Sequence, residues 1–391
     1  MKNIDNQVSE WRELFPVVKH WTYLYNGSIH PCPRPVGDAM RAFIERCEAG
    51  GEAAWPGAFA DFGRLRERFA RLIHAKARNI VVTESTTAAI NLAARLIGPK
   101  PGQNVVLNDL DFMTDSYPWL VCHPGVEVRF ARSRDGRIRT EDLMAQVDNR
   151  TAAVGLCAVT VGSGFRFDLR EVRSALGGGV PLLVDGAQAL GLAAVDVNDA
   201  GIEFLAGTAS KWLMGPTGVG FLYVADRYLD AAPPSVGWLS AANVGDWDVR
   251  RCRLQGDALR FQGGMPNLPG VVGALAGLEL LQRIGRSTIE RRVRELTGYL
   301  LAELEKIGVT LWTPRADRER AGIVFFRTHH PEALHAKLKA ARIYCGNFLG
   351  GIRVDPNFYN TIEELDRFLG IVREHAARRR PLARRNRHLN P

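Results

Sequence analysis

The chain has 391 residues, 46% of them apolar and 24% charged, a length and balance that fit a globular protein with more than one core. No apolar run is long enough to span a bilayer, and the opening MKNIDNQVSEW lacks the apolar centre of a signal peptide, so the expected setting is the cytoplasm with no membrane partner. The net charge of +9 invites a nucleic-acid reading, but Arg378, Arg379, Arg380, Arg384, Arg385 and Arg387 crowd a tail without acids or interleaved aromatics, which argues for a solvated end.

Taken in order, the chain predicts a first helix around Val8 to Phe15 and a short strand at Thr22 to Tyr25. The next stretch, NGSIHPCPRPV, is forced into an irregular loop by its glycine and prolines. Asn26, Ser28, His30, Cys32 and Arg34 either line a substrate pocket from this loop or belong to a rigid connection; Asn26 and His30 are the substrate-binding candidates. Helical spacing follows at Leu65 to Ile73. A strand–helix alternation then begins: strands at Ile80 to Thr83, Asn104 to Leu107, Val126 to Ala131 and Ala152 to Val159, with helices at Ala88 to Ile97, near Thr114 to Cys122, at Glu141 to Val147 and at Leu169 to Leu176. Such alternation predicts an α/β fold with a doubly wound, mostly parallel sheet, whose ligands sit beyond the carboxyl ends of the strands.

Two segments stand at such ends. Ser85, Thr86 and Thr87 open an Ala-rich helix, where hydroxyls, free N–H groups and the helix dipole favour an anion such as phosphate. Ser and Thr are also the commonest helix caps, so this segment alone is weak evidence. Phe112 follows the strand from Asn104 and either stacks on a planar cofactor or packs in the core. Gly215, Gly218 and Gly220 lead into a strand rather than a helix, so the dinucleotide fingerprint fails. The six cysteines (Cys32, Cys47, Cys122, Cys157, Cys252 and Cys345) are scattered, which speaks against a disulfide framework or a metal site.

From Pro266 the pattern turns helical: Leu268 to Ile284, a helix marked by Ile289, Val293, Leu296, Leu300 and Leu304, then Pro331 to Ala340 and a last helix from Ile362. Strands are expected at Val309 to Trp312, Ile323 to Arg327 and Ile352 to Val354. The expected division is a large domain over 16–284, a small α+β domain from 1–15 and 285–377, and the basic tail 378–391.

The centre of the chain is Val180 to Val224. Leu182 to Val184 reads as a buried strand ending in Asp185, and runs at Ile202 to Ala206 and Val219 to Val224 flank Lys211. Burial disfavours an ammonium, so a lysine in FLAGTASKWLMGP can lose its proton and form a Schiff base. An acid at the end of one strand and a lysine after the next is the arrangement pyridoxal 5'-phosphate (PLP) needs: the lysine for its aldehyde, the acid for its pyridine nitrogen. Either residue alone is ordinary, Asp185 as a turn former and Lys211 as a snorkelling surface lysine. Their combination with the hydroxyl-rich helix start reverses the odds.

The motifs STTAAIN, DFMTDSYPW, VDGAQALG, GTASKWLMGPTGVGFLYV, RFQGGMPN and IRVDPNFYNT, in that order, resemble the class V aminotransferase group of fold-type-I PLP enzymes. That group includes cysteine desulfurases, isopenicillin N epimerase-like enzymes and carbon-sulfur lyases. The resemblance implies Lys211 as the Schiff-base lysine, Asp185 as the partner of the pyridine nitrogen and Gln188 near the cofactor's phenolic oxygen. It implies Thr86, Thr87, Thr208 and Ser210 around the phosphate, Phe112 over the ring, and Arg353 as the grip on a substrate α-carboxylate. Met265 departs from the threonine common at its position, so the contact to a neighbouring subunit falls to backbone at Gly264. The cysteine loop of desulfurases is missing from the compact YCGNFLGGIRV, which argues against persulfide chemistry on Cys345. The expected function is β-elimination from an amino acid, giving a keto acid and ammonia, by a homodimer with its site at the interface. Transamination, epimerisation or racemisation and oxidative deamination use the same residues; a PLP-binding regulator without catalysis is the remote alternative.

Overall fold

Six of the seven short strands of the main sheet are apolar on both faces because each face meets a separate layer of side chains; the seventh, at one edge, leaves Glu127 and Phe130 exposed. The computed structural model describes residues 4–377; the arginine-rich tail lies outside them. The strands of the chain are β1 (Thr22–Tyr23), β2 (Ile80–Thr83), β3 (Asn104–Asn108), β4 (Glu127–Ala131), β5 (Thr151–Cys157), β6 (Leu182–Asp185), β7 (Phe204–Thr208), β8 (Gly220–Val224), β9 (Thr310–Leu311), β10 (Val324–Arg327), β11 (Ile343–Tyr344), β12 (Gly346–Phe348) and β13 (Gly351–Val354). The helices are α1 (Ile4–Arg12), α2 (Arg34–Gly50), α3 (Trp55–Leu72), α4 (Thr86–Ile97), α5 (Tyr117–Cys122), α6 (Thr140–Met144), α7 (Leu169–Leu176), α8 (Leu268–Ile284), α9 (Arg286–Ile307), α10 (Pro331–Ala340) and α11 (Ile362–Ala377).

The main sheet has the order β2-β8-β7-β6-β5-β3-β4. All its pairings are parallel except those of β8, which runs antiparallel to both β2 and β7. Period-two alternation sends Ile80, Val82, Val106, Val154, Leu182, Val184 and Leu205 into one core, and Val81, Val105, Leu107, Ala153, Leu183 and Phe204 into another. Burial on both faces explains why these strands read as continuous apolar runs. In the first core Phe69 of α3 stacks on Phe221 of β8 at 4.0 Å, a contact whose loss by truncation to alanine costs about 3–5 kcal/mol.

A second sheet, β12-β13-β10-β9, is antiparallel throughout. Its core joins Leu296, Leu300 and Leu304 of α9 with Val324, Phe326, Ile352, Phe368 and Leu24. β1 pairs in parallel with β11, Thr22 opposite Ile343, so the segment before the first loop is stitched to the far end of the chain.

The expected elements recur with shifts at their ends, and α7, α8 and α10 match residue for residue. Two helices differ. Only the first turn of α2, Arg34 to Val36, falls in the expected loop, and no element is expected over its remainder; Pro35 sits in that turn, where a missing N–H costs nothing. α3 starts ten residues before Leu65 for the same reason, with Pro56 in its first turn.

Candidate active site

β2, β3, β5, β6 and β7 all point the same way, so Thr83, Asn108, Cys157, Asp185 and Thr208 end at one edge of the sheet. The site is built along that edge. Asp185 is buried at the end of β6, and its Oδ1 accepts from the Ala187 amide at 2.7 Å. β7 leaves the sheet at Thr208 into a loop closed by the Ala209 amide on the Val219 carbonyl (2.9 Å) and the Gly215 amide on the Ala209 carbonyl (2.8 Å). This loop holds Lys211 inward, with its Nζ 5.9 Å from the centroid of the Phe112 ring.

Burial lowers the Lys211 ammonium below its ordinary range, opposed by the charge of Asp185 and reinforced by Arg353. Burial raises the Asp185 carboxyl, and Lys211 pulls it back. The lysine is thus poised to give up its proton, and the acid faces a place where a positive ring nitrogen would relieve it.

Beside them the start of α4 supplies hydroxyls. Ser85 caps the helix, accepting from the Ala88 amide at 3.1 Å, which leaves Thr86 and Thr87 on its first turn. Thr86 Oγ1 is buried with no hydrogen-bond partner. Thr87 Oγ1 pairs with Thr114 Oγ1 at 2.8 Å, and Thr208 Oγ1 with Ser210 Oγ at 3.1 Å. Gly220 lies in register between Thr83 and Thr208, and a Cβ there would stand 2.6 Å from the Ser85 carbonyl carbon, so only glycine lets the strand and the helix start meet. A cavity of about 860 Å³ opens over this helix start, lined by Ser85, Thr87, Gln262, Gly264, Met265 and Asn267; Lys211 and Asp185 lie outside its lining. The orphaned Thr86 hydroxyl, the exposed face of Phe112 (43% accessible), the half-buried lysine and the buried acid fit the phosphate, ring, aldehyde and nitrogen of PLP. Another cavity, about 570 Å³ among Arg166, Asp196 and Arg294, contains none of these residues.

Gln188 lies between the lysine loop and the first loop of the chain. Its Nε2 donates to the Gly27 carbonyl at 2.8 Å, and its Oε1 accepts from Trp212 Nε1 at 3.1 Å and from Arg353 Nη2 at 3.3 Å. Arg353, on β13, is buried between the rings of Tyr25 (5.5 Å) and Phe348 (6.0 Å). Its Nε donates to both carboxylate oxygens of Asp355 at 2.9 Å, and its Nη2 meets Asp355 Oδ2 at 2.7 Å. Burial raises the Asp355 carboxyl, with Arg353 and the Gly27 amide holding it down.

Asn26 and His30 are brought close to Arg353 but are fully engaged. Asn26 Nδ2 donates to the Asp355 carbonyl at 2.7 Å, and its Oδ1 accepts from the Tyr359 hydroxyl at 2.7 Å. His30 pairs through Nδ1 with the Pro31 carbonyl and through Nε2 with Asn357 Nδ2, both at 2.8 Å, and burial pushes it down to about 4. Neither has a hydrogen-bonding atom left over for a substrate. They instead fasten the loop, and the His30 amide reaches the Ser210 carbonyl next to Lys211 at 2.8 Å.

Three groups escaped the sequence reading. Asp111, pushed up to about 7 by burial, accepts from the Cys157 amide at 2.8 Å; Asp115, raised well above its usual range by burial and by Asp185, accepts from Cys157 Sγ at 3.3 Å. Only burial marks these acids, and sequence alone does not show it. Asp355 had a signal: two residues after Arg353 in a strand, its side chain falls on the same face.

Cys345 is buried, and burial pushes its thiol up to about 12. The segment after it is a tight hairpin in which β12 pairs with β13 across Leu349 (φ 52°) and Gly350 (φ 71°), a two-residue connection with both residues left-handed.

Comparison with known proteins agrees with this geometry. A family described as Aminotransferase class-V matches residues 22–368. A probable cysteine desulfurase of Pyrococcus abyssi is 26% identical, with 93% of this chain and 96% of that protein covered. A cysteine desulfurase of Pectobacterium atrosepticum is 33% identical over 68% of this chain and 67% of its own. The apo structure of a cysteine desulfurase from Thermococcus onnurineus superposes with a TM-score of 0.86 at 26% identity, covering 96% of this chain and 99% of the other.

Proposed function

Because the chain belongs to the class V aminotransferase family, and is therefore a PLP-dependent enzyme, we propose that it cleaves a carbon–sulfur bond by β-elimination from an amino-acid substrate. The observation that carries this reading is the half-buried Lys211 with the buried Asp185 at the carboxyl edge of the sheet, its ammonium held below its ordinary range.

In this reading the hydroxyls of Thr86, Thr87, Thr208 and Ser210, with backbone at Gly264, receive the phosphate. Phe112 covers the ring, and Asp185 holds a proton on the pyridine nitrogen. When bound, PLP supplies an electron-accepting ring that stabilises negative charge at the carbon bearing the amine. Lys211 Nζ takes the proton from that carbon; the β-sulfur departs with the electron pair as a thiolate, and the enamine hydrolyses to a carbonyl product and ammonia. Arg353 faces the rest of the substrate from β13, with Gln188 between it and the lysine loop.

Elimination rather than transfer of sulfur to a protein cysteine is supported by Cys345. Its thiol is buried, its acidity is suppressed, and the hairpin after it gives it no swinging loop. A homodimer that shares the cleft near Gly264 is part of the proposal, supported by the exposed Met265 and Trp238 beside that cleft. Incubating the PLP-loaded protein with cysteine or with S-conjugates of cysteine should release pyruvate and ammonia in repeated turnovers, with sulfide from the former and thiol from the latter. One equivalent of pyridoxamine phosphate with no thiol would overturn the reading in favour of transamination.

A further inference from the structure

The guanidinium expected to grip a carboxylate is already holding one. Arg353 spends Nε on both oxygens of Asp355 and divides Nη2 between Asp355 and Gln188, which leaves Nη1 as the nitrogen with no acceptor among the described residues. A two-bond fork to an incoming carboxylate needs two nitrogens of the guanidinium, so the fork is taken.

Asp355 is not free to swing aside. It is 0% exposed, its amide donates to the Leu24 carbonyl at 2.7 Å, and its carbonyl accepts from Asn26 Nδ2 at 2.7 Å. Its Oδ2 also accepts from the Gly27 amide at 3.2 Å. Packing closes the remaining room: a Cβ at Gly27 would stand 2.3 Å from Arg353 Nη2 and 2.8 Å from Asp355 Oδ2. The pair nevertheless stands beside the reacting end of the site, since Gln188 Oε1 accepts both from Arg353 Nη2 at 3.3 Å and from Nε1 of Trp212, the residue after Lys211, at 3.1 Å. A free α-carboxylate entering here meets an arginine whose charge is cancelled and a buried like charge beside it, a costly arrangement in a dry site.

We propose that Asp355 is a selectivity residue: it cancels Arg353 and turns the pocket toward amino substrates whose α-carboxyl is uncharged, as in an amide. This rests on the reading that Lys211 carries the cofactor and Arg353 faces the substrate; it changes only the group beside the amine. The reaction stays an elimination: an amide substrate gives a keto amide, and a free amino acid still gives the keto acid but binds more weakly.

The test titrates the PLP-loaded protein with alanine and with alaninamide, following the visible absorbance of the cofactor. The wild type should bind alaninamide at least 10-fold more tightly than alanine. Asp355→Asn and Asp355→Ser should each move that ratio at least 10-fold toward alanine, and Arg353→Ala should not. Tighter binding of alanine by the wild type overturns the proposal, and this comparison stands even if neither variant folds. A ratio unchanged in a folded variant, with only its unfolding temperature lowered, makes the ion pair purely structural and also overturns it. A visible band that answers to neither ligand overturns the parent reading instead, and the proposal with it.

Discussion

Trp212 Nε1 and Arg353 Nη2 converge on one oxygen, Oε1 of Gln188, at 3.1 and 3.3 Å. One side chain thus ties the loop of Lys211 to the strand of Arg353, and its Nε2 adds the Gly27 loop. Gln188→Leu should strand a buried indole N–H and one guanidinium N–H, at a cost of about 1–3 kcal/mol for each unsatisfied group. Denaturant unfolding checks the magnitude, and Gln188→Glu, which keeps an acceptor, should recover part of the loss.

Lys211→Ala should retain its fold, since removing a partly desolvated ammonium also removes a desolvation cost. It should give no cofactor adduct that sodium borohydride can fix to the protein. A fixed adduct in this variant, located by mass spectrometry, would move the attachment point to another lysine.

Asp185→Asn should keep PLP bound through the phosphate contacts but weaken its hold on the ring proton. A charged hydrogen bond of about 1.5–3 kcal/mol corresponds to a fall in kcat of about 10- to 150-fold. Turnover measured at saturating cofactor isolates this from any change in affinity.

Stability against acid should depend on His30. Its folded pKa of about 4 lies below the ordinary 6.5, so the unfolded chain binds the extra proton between those values. The stability is fully present above pH 6.5 and is lost as pH falls toward 4, by about 3 kcal/mol. Asp111, raised to about 7, works in the opposite sense over an overlapping window, because there the folded state holds the extra proton. The comparison that isolates His30 is the difference between wild type and His30→Gln in urea unfolding from pH 4 to 7. That difference should shrink as pH falls.

Maleimide labelling of the native protein should reach Cys32, Cys122 and Cys252, which are exposed, and spare Cys157 and Cys345, which are buried. Cys345→Ser should keep its rate of thiol release from cysteine conjugates. Abolished release in a folded variant would restore a nucleophilic role to that thiol.

Much of this architecture was legible because its signals are local. The strands of the main sheet are short apolar runs, and α7, α8 and α10 carry their own boundaries, with Asp168 and Asn267 as caps and Pro331 in a first turn. Asp185 was legible because it closes one such run, and Lys211 because it stands between the next two. Asn26 and His30 were read as pocket lining because their partners, Asp355, Asn357 and Tyr359, arrive from more than 320 residues away. Spacing along the chain says nothing about such pairs. α2 was missed for a different reason, since prolines that open a helix look in sequence like prolines that forbid one.

The parallel pairing of Thr22 with Ile343 sets a schedule for the molecule as it is made. The segment that locks the loop of Lys211 leaves the ribosome about 320 residues before the strand it joins. The central sheet can collapse while synthesis continues, but the mouth of the pocket stays open until the C-terminal third arrives. Nascent chains stalled before residue 343 should therefore be compact yet unable to retain the cofactor, and chains extended past the last helix should load it.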